Sequence, residues 1–150
     1  MKLNDRERES GNHNEICKND IETEHIRRAH LKDAAAHTKF IYWLKENIGK
    51  TEITERSASA RLEEFRKEQD GYLGPSFEPI SAYYEHGAIV HYSASKESDA
   101  RLEKGHFLLT DTGGHYKDGS TDITRTVALG EVSYQEKKIS LLFCVRCSDL

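Results

Sequence analysis

The sequence is poor in cysteine and proline, has no basic run and lacks any long apolar stretch. Its three cysteines, Cys17, Cys144 and Cys147, form an odd and sparse set, which argues against a disulfide framework. Cys144 and Cys147 make a CxxC, yet zinc would need a second pair or histidines at ligand spacing, and none follow. These thiols read as buried or incidental. With a formal net charge of −4 and no cluster of Lys or Arg, the chain has no electrostatic footprint for nucleic acid. No segment reaches the length of a membrane span. Residues 1–14 are charged and polar without an apolar centre, unlike a secretory signal. The expectation is a cytoplasmic protein that binds neither nucleic acid nor membrane. Internal repeats and low-complexity tracts are absent as well.

What is present suffices for one domain. Across 150 residues the apolar fraction is 36% and the charged fraction 32%, polar for a globular domain, with much of the polarity at the N-terminus. Residues 1–18 hold almost no apolar side chains and read as a disordered lead-in. Asn19 or Asp20 can cap a helix, with Glu22 and Glu24 in its first turn, where carboxylates favour the dipole. Ile26, Ala29, Ala36, Phe40, Trp43 or Leu44, and Ile48 then recur at helical spacing, and Gly49 is placed to end the run. A second helix is expected from about Thr54, with Ala58, Leu62 and Phe65 inward and Glu63, Glu64, Arg66 and Lys67 on a solvated face; Gly71 is its stop.

Beyond Gly71 the character changes. Gly71, Gly74, Pro75 and Pro79 mark loop or short edge strand. Residues 80–84 and 88–92 read as short strands, 93–103 as a polar surface crossing, and 106–111 as an apolar strand. Residues 121–129 alternate, with Ile123, Arg125, Val127 and Leu129 on one face and Asp122, Thr124 and Thr126 on the other. Ser133 followed by Glu136 is a capping box that opens a third helix. Two helices, then antiparallel strands, then a helix make an α+β fold.

The chemistry lies in the segment LLTDTGGHYKDGSTDITRTVALG, residues 108–130. Asp111 and Asp122 stand eleven positions apart within it. A hairpin centred between Tyr116 and Lys117 sets them directly opposite each other on one face. The Asp118-Gly119 turn signal lies slightly past that centre, so a longer loop or a bulge at Gly113-Gly114 is required. Two close carboxylates are eased by a divalent cation. Spacing alone leaves two readings open: half of a two-metal site, or turn-adjacent aspartates that cap backbone amides.

The neighbouring letters bear on that choice. GAIVHY at 87–92, the hairpin segment, and IRRAHLKDAAAHTKFIYWLKENIG at 26–49 resemble the Xaa-Pro aminopeptidases, also called aminopeptidase P, of the pita-bread metallopeptidase family. The resemblance runs from about residue 15 to about 138. It implies the first half of a pita-bread fold, helices packed on an antiparallel sheet. It implies that Asp111 is a ligand to one metal, that Asp122 bridges two, and that Mn²⁺ is the expected ion, with Zn²⁺ and Co²⁺ as alternatives. It makes His91 a catalytic, substrate-facing histidine that helps to stabilise a tetrahedral intermediate; without it His91 would read as a satisfied strand histidine. Phe77 aligns with a wall of the substrate pocket, and core packing is an equal reading. His86, His106 and His115 match no family ligand. The implied substrate is a peptide whose second residue is proline, cut to release the first.

The sequence also departs from the pattern. The family completes its site with a histidine and two glutamates from a C-terminal half, and those residues are not in this sequence. From about Lys138 the resemblance fades, leaving residues 140–150 as a divergent tail after a partial catalytic domain at 19–139. The expectation is therefore a truncated fragment, inactive alone and weak in metal binding, that self-associates or meets a complementary C-terminal half. The alternative is a non-catalytic pita-bread domain that binds peptide or protein. A helical interaction module built on residues 20–48 would explain the first helix and not the hairpin.

Overall fold

The computed structural model describes residues 18–148, with side chains as far as residue 142. The lead-in expected at 1–18 lies almost wholly outside the described residues, as does Cys17. Helix α1 spans Asp20–Asn47, and its start follows from Asn19. The Asn19 side chain accepts the Glu22 N–H at 2.9 Å while Glu22 reaches back to the Asn19 N–H at 2.9 Å, a reciprocal capping box. Gly49, at φ +76°, turns the chain out of the helix. Thr54 and Ser57 form a second such box at the head of α2, Glu55–Lys67.

Six short strands follow: β1 Tyr72–Pro75, β2 Ile80–Tyr83, β3 Phe107–Thr112, β4 Gly114–Tyr116, β5 Gly119–Ser120 and β6 Ile123–Ala128. They form two antiparallel three-stranded sheets, ordered β1-β4-β5 and β2-β3-β6. Helix α3, Tyr134–Ser148, opens at the expected Ser133–Glu136 box and carries Cys144 and Cys147 in its last turns. The core lies between the helices and one face of the β2-β3-β6 sheet. Ala36, Phe40 and Leu44 of α1 and Leu62 and Phe65 of α2 meet Leu108 and Val127. The stripe written into α1 is thus the face that packs.

Two expectations are corrected. Residues 88–92 form no strand: Tyr84–Ala88 is a single-turn 3-10 helix, and a turn carries the chain through His91. Tyr84 and His91 have φ of +49° and +55°, which no strand accommodates. Arg66 is not on a solvated face. It is 2% exposed, and its guanidinium donates from Nε to Asp33 Oδ1 at 2.7 Å and from Nη2 to Asp33 Oδ2 at 3.3 Å and Thr112 Oγ1 at 2.9 Å. Three acceptor atoms from two other elements hold a charge that would otherwise be too costly to bury.

Candidate metal centre

β3 and β4 run out along one arm of a single hairpin, and β5 and β6 return along the other. The register is continuous: Thr112 pairs with Ile123 and His115 with Ser120. Between these pairs the Thr121 N–H donates to the Gly114 carbonyl at 2.9 Å. The hairpin bends here from one sheet into the other, and Gly113 permits the bend. A Cβ at that position would collide with the Thr121 carbonyl oxygen and the Ser76 hydroxyl. Ser76 fills the space instead, donating from Oγ to the Thr121 carbonyl at 2.9 Å.

The turn residues are Lys117 and Asp118, one position later than the centre that would set the aspartates directly opposite each other. Asp111 pairs with Thr124, and Asp122, just before β6, falls opposite Gly113. The two carboxylates are therefore diagonal rather than facing neighbours. Residues two apart along a strand share a face, so both still stand on the same side, at a diagonal spacing of about 7–8 Å. That side is opposite the one on which Leu108 and Val127 meet the helices. Asp111 is half-buried there and accepts the Thr124 hydroxyl at 2.6 Å; Asp122 is exposed.

The position of Asp122 is set by its buried neighbour. Thr121 Oγ1 donates to Asp33 Oδ2 and accepts the Gly114 N–H at 2.9 Å. Asp33, fully buried, thus ties α1 to Arg66 of α2, through Arg66 to Thr112 at the end of β3, and directly to the residue before Asp122. Neither Asp33 nor Arg66 was singled out from sequence as a site-shaping residue. A signal existed: Asp33 occupies the apolar stripe of α1, between Ala29 and Ala36, where an unpaired carboxylate would not be tolerated.

Sequence placed His91 and Phe77 at the same site. His91 is exposed in the turn after the 3-10 helix and makes no hydrogen bond to either aspartate. Phe77 is half-buried in the bend before β2, whose Ile80 pairs with Asp111. The hairpin sets the aspartates on one face; among the described residues no hydrogen bond or ion pair joins the histidine or the phenylalanine to them. Three further histidines have structural partners: His86 with Glu55, His106 with Glu136, His115 with Ser120. His106 and the Ser133 hydroxyl and amide hold the Glu136 carboxyl down at about 2, the Ser133 bond being the largest influence.

In donor chemistry the pair suits hard divalent cations: two carboxylates on one open face, with one oxygen of Asp111 engaged by a hydroxyl. The set is partial. Among the described residues no group of three or more His, Cys, Asp or Glu side chains converges on one point. Nor, among the described residues, is any helix long and apolar enough to cross a membrane.

Comparison with known proteins places these features in a family. The model of metallopeptidase family M24 matches residues 24–143. Aminopeptidase P2 of Arabidopsis thaliana is 44% identical over 122 residues, covering 81% of this chain and 17% of that protein. Xaa-Pro aminopeptidase 2 of Sus scrofa is 41% identical over 121 residues, covering 81% and 18%. The chain thus spans under a fifth of the length of these two relatives. Among solved structures, an X-prolyl aminopeptidase from Caenorhabditis elegans, described as a cytosolic enzyme with a di-nuclear active site, superposes with a TM-score of 0.74 at 34% identity. That match covers 79% of this chain and 20% of that one. An Xaa-Pro dipeptidase from Bacillus anthracis gives 0.70 at 32%, covering 81% and 32%. The fold is accordingly α+β, of the pita-bread type.

Proposed function

This chain belongs to metallopeptidase family M24, and we propose that it carries one wall of an Xaa-Pro aminopeptidase site that releases the residue preceding proline from a peptide. The observation that supports this reading is the register of the hairpin. It sets Asp111 and Asp122 on one face of the hairpin, two pairs apart, each on a backbone fixed by buried hydrogen bonds.

In this reading Asp111 and Asp122 would hold the divalent cations, together with ligands from a complementary half. Mn²⁺ is the first choice, and Zn²⁺ and Co²⁺ are the alternatives. A bound pair of such ions supplies a water acidified toward neutral pH and a polarised carbonyl. His91 stands beside the substrate and steadies charge on the oxygen of the attacked carbonyl, and Phe77 lines the pocket. The domain occupies residues 19–139, with 140–150 a divergent tail, and the protein works in the cytosol.

Two carboxylates do not by themselves fix coordination number or geometry. The 150-residue chain alone therefore binds Mn²⁺ weakly and cleaves little. Val90, Leu73 and Tyr134, exposed at 83%, 67% and 81%, offer apolar surface to a second copy or to a complementary C-terminal half. Calorimetric titration with Mn²⁺, Zn²⁺ and Co²⁺ tests the reading. Weak binding that disappears in Asp111→Ala is expected. Equal binding in Asp111→Ala would overturn the metal assignment, and rapid hydrolysis of a Gly-Pro bond by this chain alone would overturn its incompleteness.

A further inference from the structure

One buried carboxylate outside the hairpin organises the segment that carries His91. Glu55, the first residue of α2, is fully buried. A carboxylate in the first helical turn is favoured by the dipole, yet this one turns inward and must find partners. It finds four, all from residues 83–100. Oε1 accepts the Tyr83 N–H at 2.7 Å and pairs with His86 Nδ1 at 2.8 Å. Oε2 accepts the Tyr92 hydroxyl at 2.7 Å and the Ala100 N–H at 3.1 Å. The His86 and Tyr92 rings stack on each other, with centroids 4.5 Å apart.

The span held by these bonds contains Tyr84 and His91, the two non-glycine residues with positive φ among the described residues. Such a conformation is sparsely populated for a residue with a side chain and persists only where the surroundings over-determine it. Here the surroundings are Glu55. Tyr83 is fixed just before the left-handed Tyr84, and Tyr92 just after the left-handed His91. Tyr92 is buried while His91 beside it is exposed. Drawing the Tyr92 ring inward to Glu55 turns the His91 side chain outward.

We propose that Glu55 is a positioning residue for His91: its carboxylate, through Tyr83, His86 and Tyr92, sets the strained turn that presents the imidazole. This rests on the active-site role given to His91 above. The test uses the full 150-residue chain and two variants, Glu55→Gln and Tyr92→Phe. The Phe variant keeps the ring and its stacking and loses only the hydroxyl link. Two readouts apply. The one-bond Cα–Hα coupling of His91 reports the sign of its φ, and broadening of its ring resonances by added Mn²⁺ reports its approach to the aspartates.

In the wild type a positive φ and a broadened ring are expected. In Glu55→Gln the positive φ is lost and the broadening falls several-fold, while Mn²⁺ affinity is unchanged; Tyr92→Phe moves both readouts in the same direction by less. A His91 that keeps its φ and its broadening in both variants overturns the proposal. So does a Glu55→Gln chain that fails to fold beside a Tyr92→Phe chain with an unaltered His91. If Mn²⁺ leaves the wild-type ring sharp while φ still depends on Glu55, the positioning of the turn holds and the peptidase role of His91 fails.

Discussion

The two faces of the β2-β3-β6 sheet share the same strands and have opposite characters. Toward the helices, Leu108, Thr110 and Thr112 alternate down β3, all fully buried. Leu108 meets the apolar core, and the Thr112 hydroxyl accepts from Arg66. On the other side Leu109 and Asp111 stand half-buried and Thr124 and Thr126 exposed. A pleat of period two lets one strand supply structure and chemistry at once. The polar groups of the inner face reach other elements, as Thr112 does to Arg66, whereas on the outer face Thr124 bonds to Asp111 on the neighbouring strand.

If this contrast is right, the largest effects of mutation arise on the inner face. Arg66→Met strands the Asp33 carboxylate with Thr121 as its remaining donor and is expected to cost about 3–5 kcal/mol in urea denaturation. Replacing Asp33 by Leu in the same chain should recover much of that loss, because the stranded charge is then removed.

His37 tests the same interior through pH. Its ring lies buried and edge-on to Phe40, and neither nitrogen has a partner among the described residues. Burial, and then the nearby Arg66 charge, lower its pKa from 6.5 to about 4; Arg125 acts in the same direction and Asp33 opposes them. Between those values the unfolded chain binds the proton and the folded chain does not. Proton linkage at His37 therefore contributes nothing above about pH 6.5 and removes stability progressively as pH falls toward 4, by roughly 3 kcal/mol in all. His37→Leu should remove that component, so that the stability difference between variant and wild type widens on acidification. A difference that stays constant from pH 7 to pH 4 would contradict it.

The smallest effect sharpens the comparison within a single sheet. Thr112→Val leaves the Arg66 Nη2 donor short of an acceptor and should cost about 1–3 kcal/mol. Thr126→Val, on the outer face, should stay within about 0.5 kcal/mol. Equal costs would mean that the two faces are not distinguished as described.

Most of the fold could be read from local chemistry. Asn19, Gly49, Thr54 and Ser133 mark helix ends because their side chains, or in glycine the absence of one, act on the backbone next to them. Misreadings arose where distant partners decide. The apolar run of Ala88, Ile89 and Val90 suggested a strand, yet its conformation is dictated by Glu55, over thirty residues away, which binds both sides of it. Arg66 read as solvent-facing because its partners, Asp33 and Thr112, lie in other elements. The hairpin centre lies between Lys117 and Asp118, one position later than facing aspartates require, and the Asp118-Gly119 signal overshoots it because Gly119 already begins the returning strand. That single step changes facing aspartates into diagonal ones and leaves them on the same side.

Anomalous diffraction from Mn²⁺-soaked crystals of the 150-residue chain tests the metal assignment most directly. A manganese peak bounded by the carboxylates of Asp111 and Asp122, absent in crystals of Asp111→Ala, is the expected result. Manganese bound elsewhere on the chain, with the space between these two side chains empty, would contradict it.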